Sequence, residues 1–264
     1  DFRLPTLPVE DFPAISVGDM QDAFMLMAAD ARDMIDATRF AISTEETRYY
    51  LNGIYLHKSA QGDLCAVATD GHRLALTRQG LPSGATAMPS IIVPRKAVNE
   101  VRKLLDDFEG EIGVALSETR AEFSIGSVHL RTKLIDGTFP DYTRVIPRSN
   151  DRIMQVDSAS FSAAVDRVST ISSEKSRSVK MRLQPGMLNL SASSTDASSA
   201  VEEIEVSYDG AEMEIGFNAR YLLDIASQVD SDTIEFALAD QGSPSLVRAP
   251  GDEATLFVLM PMRV

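Results

Sequence analysis

A repeat with a period of about 125 residues constrains this chain of 264 residues more than any other feature. Apolar spacing predicts a helix from about Ala31 to Ile42, capped by Asp30, with Ala31, Met34, Ile35, Thr38 and Ile42 on one face. Arg32, Asp33, Asp36 and Arg39 take the opposite face. The pattern returns from about Ser160 to Ile171, behind the cap candidates Asp157 and Ser158, with Phe161, Ala164, Val165, Val168 and Ile171 inward. Each helix runs into a related string, Ile42-Ser43-Thr44-Glu45-Glu46-Thr47-Arg48 and Ile171-Ser172-Ser173-Glu174-Lys175-Ser176-Arg177. Strand-like stretches follow at Tyr50 to Leu56 and at Val179 to Leu183. Further on, Val93-Pro94-Arg95-Lys96 opens a helix carrying Val98, Val101 and Leu105 inward. Phe217-Asn218-Ala219-Arg220 opens its counterpart with Leu222, Ala226 and Val229.

Short β-rich runs fill the gaps between helices: Leu64 to Thr69, Ile112 to Leu116 and Val128 to Leu134, then Met187 to Ser191, Ile204 to Tyr208 and Ile234 to Leu238. Asp209-Gly210 reads as a hairpin turn. The fold class expected is α+β, two tandem units of two helices and about eight strands each, with the boundary near Phe139-Pro140-Asp141-Tyr142.

The net charge of −14 argues against strong non-specific affinity for nucleic acid. Cations are nonetheless enriched on the helices: Arg32, Arg39, Arg95, Lys96, Arg102, Lys103, Arg167 and Arg220, interspersed with Asp33, Asp36, Asp166 and Asp224. A solvated mixed-charge face explains them; so does a weak, sequence-independent contact with a phosphate backbone if the helices share one surface. The single Cys65 excludes an internal disulfide framework and fits a reducing cytoplasm. Scattered His57, His72 and His129 lack metal spacing, so neither a metal nor a cofactor is expected. No apolar run is long enough for a membrane span, and no basic-then-apolar signal pattern opens the chain. Asp1-Phe2-Arg3-Leu4-Pro5 begins in mid-phrase, and Leu7 to Pro13 reads as an extended linker, which suggests part of something longer.

Only Thr69-Asp70-Gly71-His72-Arg73-Leu74 resembles a catalytic string, with Asp70 and His72 as a possible orienter and base for a hydrolase. No activated nucleophile, phosphate loop or dinucleotide fingerprint accompanies it. A turn between two strands, with Gly71 supplying the permissive backbone and Asp70 capping it, accounts for the same residues. The chain ends on Leu256-Phe257-Val258-Leu259-Met260-Pro261-Met262-Arg263-Val264, an apolar run for a terminus, which is either a strand closing a core or the lining of an adaptable groove.

Taken together, these strings resemble the bacterial DNA polymerase III β subunits, the sliding clamps. The residues carrying the resemblance are Arg48 to Gly53, Thr69 to Ala75, Val93 to Lys96, Asp136 to Tyr142, Gly210 to Asn218 and Met260 to Arg263. The resemblance implies the second and third of three clamp domains: residues 1–14 the end of a first domain plus linker, 15–140 the middle domain, 141–264 the C-terminal domain. It implies a non-enzymatic processivity factor of the cytoplasm and nucleoid that encircles duplex DNA as a head-to-tail homodimer. Its partners would be the polymerase III α subunit, the clamp loader, and other polymerases and repair proteins bearing a short motif with a glutamine and large apolar residues. By motif match, the groove for that motif would use Leu51, Thr69, Gly71, His72, Arg73, Leu74, Pro140, Arg144, Val145, Pro244, Val258, Leu259, Met260, Pro261, Met262 and Arg263. Leu51, Leu74, Val145, Val258 and Leu259 would form its floor. Arg48, Tyr49, Tyr50 and Lys96 would face DNA, and Thr170-Ile171 would mark the dimer edge. This chain by itself is expected to be a monomer that keeps the groove. A clamp-fold scaffold that never loads on DNA is the alternative.

Overall fold

The computed structural model describes residues 1–11, 20, 22–172, 177–194 and 198–263. Phe12, Pro13, the proposed domain start at residue 15, Ser173 to Ser176 and Val264 therefore lie outside the described residues. In chain order the first half runs β1 (Asp22–Met27), α1 (Ala28–Arg39), β2 (Gly53–Lys58), β3 (Asp63–Thr69), β4 (Arg73–Gly80), β5 (Ile91–Pro94), α2 (Arg95–Leu104), β6 (Glu111–Leu116), β7 (Arg120–Ile125) and β8 (Val128–Lys133). The second half repeats that order: β9 (Arg152–Asp157), α3 (Ser158–Ser169), β10 (Ser178–Gln184), β11 (Met187–Ser193), β12 (Ser199–Glu205), β13 (Met213–Asn218), α4 (Ala219–Ala226), β14 (Thr233–Leu238), β15 (Ser245–Arg248) and β16 (Thr255–Leu259).

Among the described residues, three antiparallel sheets result. Two have four strands, ordered β1-β6-β7-β8 and β12-β11-β10-β13, and one has eight, ordered β5-β2-β3-β4-β16-β15-β14-β9. The eight-stranded sheet is one sheet from each half, fused edge to edge where β4 pairs with β16. The helices pack between the sheets of their own half on a core that includes Ala31, Met34, Val98, Val101, Phe161, Val165 and Leu222. Phe161 meets Phe236 there with ring centroids 5.3 Å apart. No helix among the described residues is long and apolar enough to cross a membrane.

The inward faces follow the spacing, but several boundaries move. α1 starts at Ala28 rather than near Ala31, behind Met27, which offers no side-chain cap. Two alanines extend the helix backward, and Asp30 falls in its first turn, where a carboxylate suits the positive end of the helix dipole. Asp157 does cap α3, accepting from the Ser160 backbone at 2.8 Å, and hydrogen bonds from Ser160 hold its carboxyl below the usual range. The strand expected from Tyr50 begins only at Gly53, because Glu46–Leu51 winds into a tight 3-10 segment. Gly53 lies so close to β5 that a Cβ there would stand 2.2 Å from the Val93 carbonyl oxygen. The strand expected at Ile204 to Tyr208 instead ends at Glu205. Asp209-Gly210 is not a hairpin, since the β12 and β13 that it connects lie at opposite edges of their sheet.

Candidate functional site

The apolar terminus is explained by where β16 sits. As a strand inside the eight-stranded sheet it is covered on both faces, which demands apolar residues in succession. Phe257 and Leu259 face the helix-side core. Leu256 and Val258 face a second cluster on the other side, with Leu51, Cys65, Val67, Leu74, Leu76, Ile92 and Phe139. The connection between the halves covers that cluster, placing Ile135, Tyr142 and Ile146 against it.

At one end of this joint lies a cavity of about 260 Å³, lined by Arg48, Tyr50, Leu51, Thr69, Gly71, Arg73, Leu74, Pro140, Asp141, Tyr142, Val145, Val258 and Met260. One wall is the turn from β3 to β4. Asp70 Oδ1 accepts from the backbone N–H groups of His72 (2.9 Å) and Arg73 (3.0 Å), while Thr69 Oγ1 donates to the Arg73 carbonyl at 2.6 Å. Gly71 turns with φ of +89°, a conformation costly for other residues. Arg48 closes over it, anchored by hydrogen bonds of 2.8 and 2.7 Å to Glu45, whose carboxyl the guanidinium holds below its usual range.

The opposite wall is the connection between the halves. Asp141 fixes its turn by accepting from the Thr143 hydroxyl at 2.6 Å. Phe139 stacks on Tyr55 (4.7 Å), Tyr55 on His57 (4.6 Å), and His57 Nε2 lies 3.0 Å from the Tyr142 hydroxyl. Leu74 and Val258, paired across the joint, make the floor. Met260 stands at the rim, 39% exposed, its N–H donating to the His72 carbonyl at 2.9 Å. An apolar floor between charged rims, smaller than the roughly 300 Å³ or more of pockets that engulf whole ligands, suits a few side chains of a longer chain.

Nine of the sixteen groove candidates meet in this cavity: Leu51, Thr69, Gly71, Arg73, Leu74, Pro140, Val145, Val258 and Met260. Leu259 does not belong to the floor. Side chains alternate along a strand, so beside Val258 it points to the helix-side core, where it is fully buried. Met262 and Arg263 line a different cavity with Lys180, Glu214 and Gly216, because the Met262 N–H donates to the Gly216 carbonyl and draws the tail toward β13. His72 is exposed and stacks against Tyr221 at 6.3 Å. Arg144 is exposed, while Pro244 and Pro261 are half-buried outside the lining. Asp141 and Tyr142 join the lining although the sequence singled them out only as part of a motif.

Of the residues expected to face DNA, Arg48 and Tyr50 line the joint cavity, whereas Tyr49 is 53% exposed and Lys96 is exposed in the first turn of α2. Most other helix cations are engaged within the chain. Arg32 donates to the Leu105 and Phe108 carbonyls, Arg39 and Arg102 pair with Asp36, Lys103 with Glu100, and Arg167 with Glu202. Thr170 and Ile171 close α3, in the positions that Phe40 and Ala41 hold after α1.

The family model described as DNA polymerase III beta subunit, central domain, matches residues 26–141, and that for the C-terminal domain matches residues 143–263. The chain belongs to the DNA polymerase III beta subunit family. The beta sliding clamp of Caulobacter vibrioides is 49% identical over 266 residues, covering 100% of this chain and 72% of that protein. That of Escherichia coli is 34% identical over 267 residues, covering 100% and 71%. The structure of a sliding clamp from Bartonella birtlesii bound to griselimycin superposes with a TM-score of 0.95 at 49% identity, over 98% of this chain and 70% of that one. The family consists of non-enzymatic DNA sliding clamps, so the hydrolase alternative falls. The geometry agrees: the Asp70 carboxylate is occupied by backbone N–H groups and by Arg73, and is not presented to His72 as a base-orienting partner.

Proposed function

We propose that the cavity at the β4–β16 joint is the partner groove of a sliding clamp and that this chain supplies the middle and C-terminal clamp domains, residues 15–140 and 141–264. The reading rests on one observation above all: the cavity is walled from both halves and floored by Leu74 and Val258, which exist as neighbours only because the halves share a sheet. A short motif with large apolar side chains would seat them on that floor. Its polar groups would meet Arg48, Arg73 and Asp141, and residues beyond the motif would pass His72, Arg144, Pro244, Pro261, Met262 and Arg263. Met260 adapts the rim to different partners, since its thioether chain repacks at little cost. The polymerase III α subunit, the clamp loader and repair proteins with such a motif are the partners this groove fits.

Toward DNA, exposed Lys96 and Tyr49 would give weak, sequence-independent contacts. With most other helix cations neutralised internally, such a lining slides rather than grips. In a full ring the Thr170-Ile171 edge would meet a neighbouring domain, and the protein would work at the nucleoid.

Fluorescence anisotropy of a labelled Gln-Leu-x-Leu-Phe-type peptide titrated with the chain tests the groove. Saturable binding is expected, with loss when the leucine and phenylalanine positions are alanine. A folded chain that binds both peptides equally, or neither, would overturn the assignment.

A further inference from the structure

The two halves fill their helix-side cores differently. Between the sheets and helices of the first half lies a cavity of about 60 Å³ whose lining residues are all apolar. Matched element by element, Ala31 and Val114 stand where the second half packs the rings of Phe161 and Phe236 together. That exchange is balanced, since Met34 replaces Ala164 and Phe123 replaces Val247. Four others are not. Ala66, Val93, Val98 and Val101 line the cavity, and their counterparts are the larger Leu190, Phe217, Leu222 and Ile225. Those four counterparts are at most 2% exposed, so the second half fills with side chains a volume that the first leaves open. We propose that the first-half core is a binding site for one small, uncharged, apolar molecule, of the size of a xenon atom or a short hydrocarbon. It shares no residue with the joint cavity and stands apart from the groove reading.

The chemistry of the wall selects the guest. The volume exceeds the roughly 15 Å³ that one water needs, but water there would give up its hydrogen bonds, because no lining side chain offers a donor or an acceptor. Polar and charged solutes are excluded on the same ground. An apolar guest forfeits nothing on entry. It leaves water, and it supplies the dispersion contacts that side chains facing a gap lack. Size sets the upper bound, since the cavity is well below the roughly 150 Å³ that accommodates benzene.

The position of the cavity gives occupation a consequence. Ala31 comes from α1, Val98 and Val101 from α2, Ala66 and Val93 from the eight-stranded sheet, and Val114 from the four-stranded sheet of the same half. A guest therefore touches both helices and both sheets at once, contacts that exist only in the folded chain, and stabilises the first half by mass action. Leu26, Ile35 and Leu56 also line the cavity but are half-buried, and they mark the route to it from solvent.

Methyl NMR of this chain under increasing xenon pressure reads the site out. The methyl signals of Ala31, Ala66, Val93, Val98 and Val101 should shift along a saturating curve. Those of Val165, Leu190 and Ile225 in the second half should show only the linear drift of non-specific contact. Val98→Leu installs the counterpart residue and should weaken xenon affinity roughly fourfold, the worth of one methylene of burial. Val101→Ala enlarges the cavity, so it should tighten xenon binding, and benzene should raise the melting temperature of this variant more than that of the parent. Retained amide dispersion shows that each variant folds. Absence of saturation at the lining methyls of the folded parent would overturn the proposal. Equal shifts in both halves, or an affinity that neither variant changes, would do so too.

Discussion

Arg73, at the start of β4, donates to Asp224 on α4 at 2.5 Å and thereby ties the first half of the chain to the second. The same guanidinium donates to Asp70 at 3.1 Å and to the Phe40 carbonyl at 2.8 Å, and lies over the rings of Phe40 (5.0 Å) and Tyr221 (4.4 Å). Its side chain is only 8% exposed, so these contacts replace water almost completely. Arg73→Ala would leave two carboxylates facing a void. The expected loss is about 2 kcal/mol, less than for a fully buried pair because Asp224 keeps about a third of its exposure. Arg73→Lys should recover only part of it, since a point charge cannot serve three acceptors and two rings. Urea denaturation of both variants checks this; an alanine variant as stable as the parent would show that the sheet alone holds the halves.

Val145 is 45% exposed yet lines the joint cavity, so its substitution separates binding from folding. Val145→Glu puts a carboxylate where an apolar side chain of the peptide would sit. Peptide affinity should fall by about tenfold or more, from lost burial plus an unpaired charge at the contact. The melting temperature should change by no more than a degree or two. An affinity equal to the parent's would move the binding site away from this wall.

The end of the chain is bound on both sides, Met260 to the His72 carbonyl and Met262 to the Gly216 carbonyl. Removing Met260 to Val264 deletes those two hydrogen bonds but leaves the β4–β16 ladder, which spans Thr255 to Leu259. Stability should drop by about 1–3 kcal/mol with circular dichroism retained, while peptide binding is lost with the Met260 rim. Global unfolding of the truncated chain would make the tail a structural clasp first and a groove wall second.

Helix faces and the doubled plan were legible in the sequence because a period of 3.6 residues and a recurring string survive without tertiary information. Met34, Thr38, Phe161, Val165, Val98 and Leu222 are buried as their spacing required. Boundaries fared worse where backbone geometry decided them, as at Glu46–Leu51. Leu259 shows a subtler limit. A motif match carries a neighbourhood but not the pleat, and one step along β16 reverses which core a side chain enters. Tyr142 was legible only as part of a boundary motif and not as a cavity residue, because its place depends on His57, Tyr55 and Phe139, three residues brought together only by the connection folding back over β2. The fusion of the two halves into one sheet leaves no mark in either strand beyond the apolar run at Leu256 to Leu259.

His57 makes that same wall sensitive to pH. Its Nδ1 lies 3.0 Å from the Lys58 carbonyl, so the proton sits there and Nε2 accepts from the Tyr142 hydroxyl. Burial pushes the imidazole below its ordinary 6.5, and burial pushes Tyr142 up to about 12, so the phenol stays protonated. A folded pKa below the unfolded one means that the unfolded chain takes up the proton first. Stability from this pair is complete above 6.5 and is lost as pH falls from there through the lower folded value. His57→Gln keeps an acceptor near Tyr142 but cannot titrate. Urea midpoints taken between about pH 7 and about pH 5 should decline less steeply for that variant than for the parent. Because Tyr142 lines the cavity, peptide affinity should weaken in the parent only, as pH falls below 6.5 through the folded value of His57. Parallel slopes in both proteins would assign the acid sensitivity to carboxylates elsewhere in the chain.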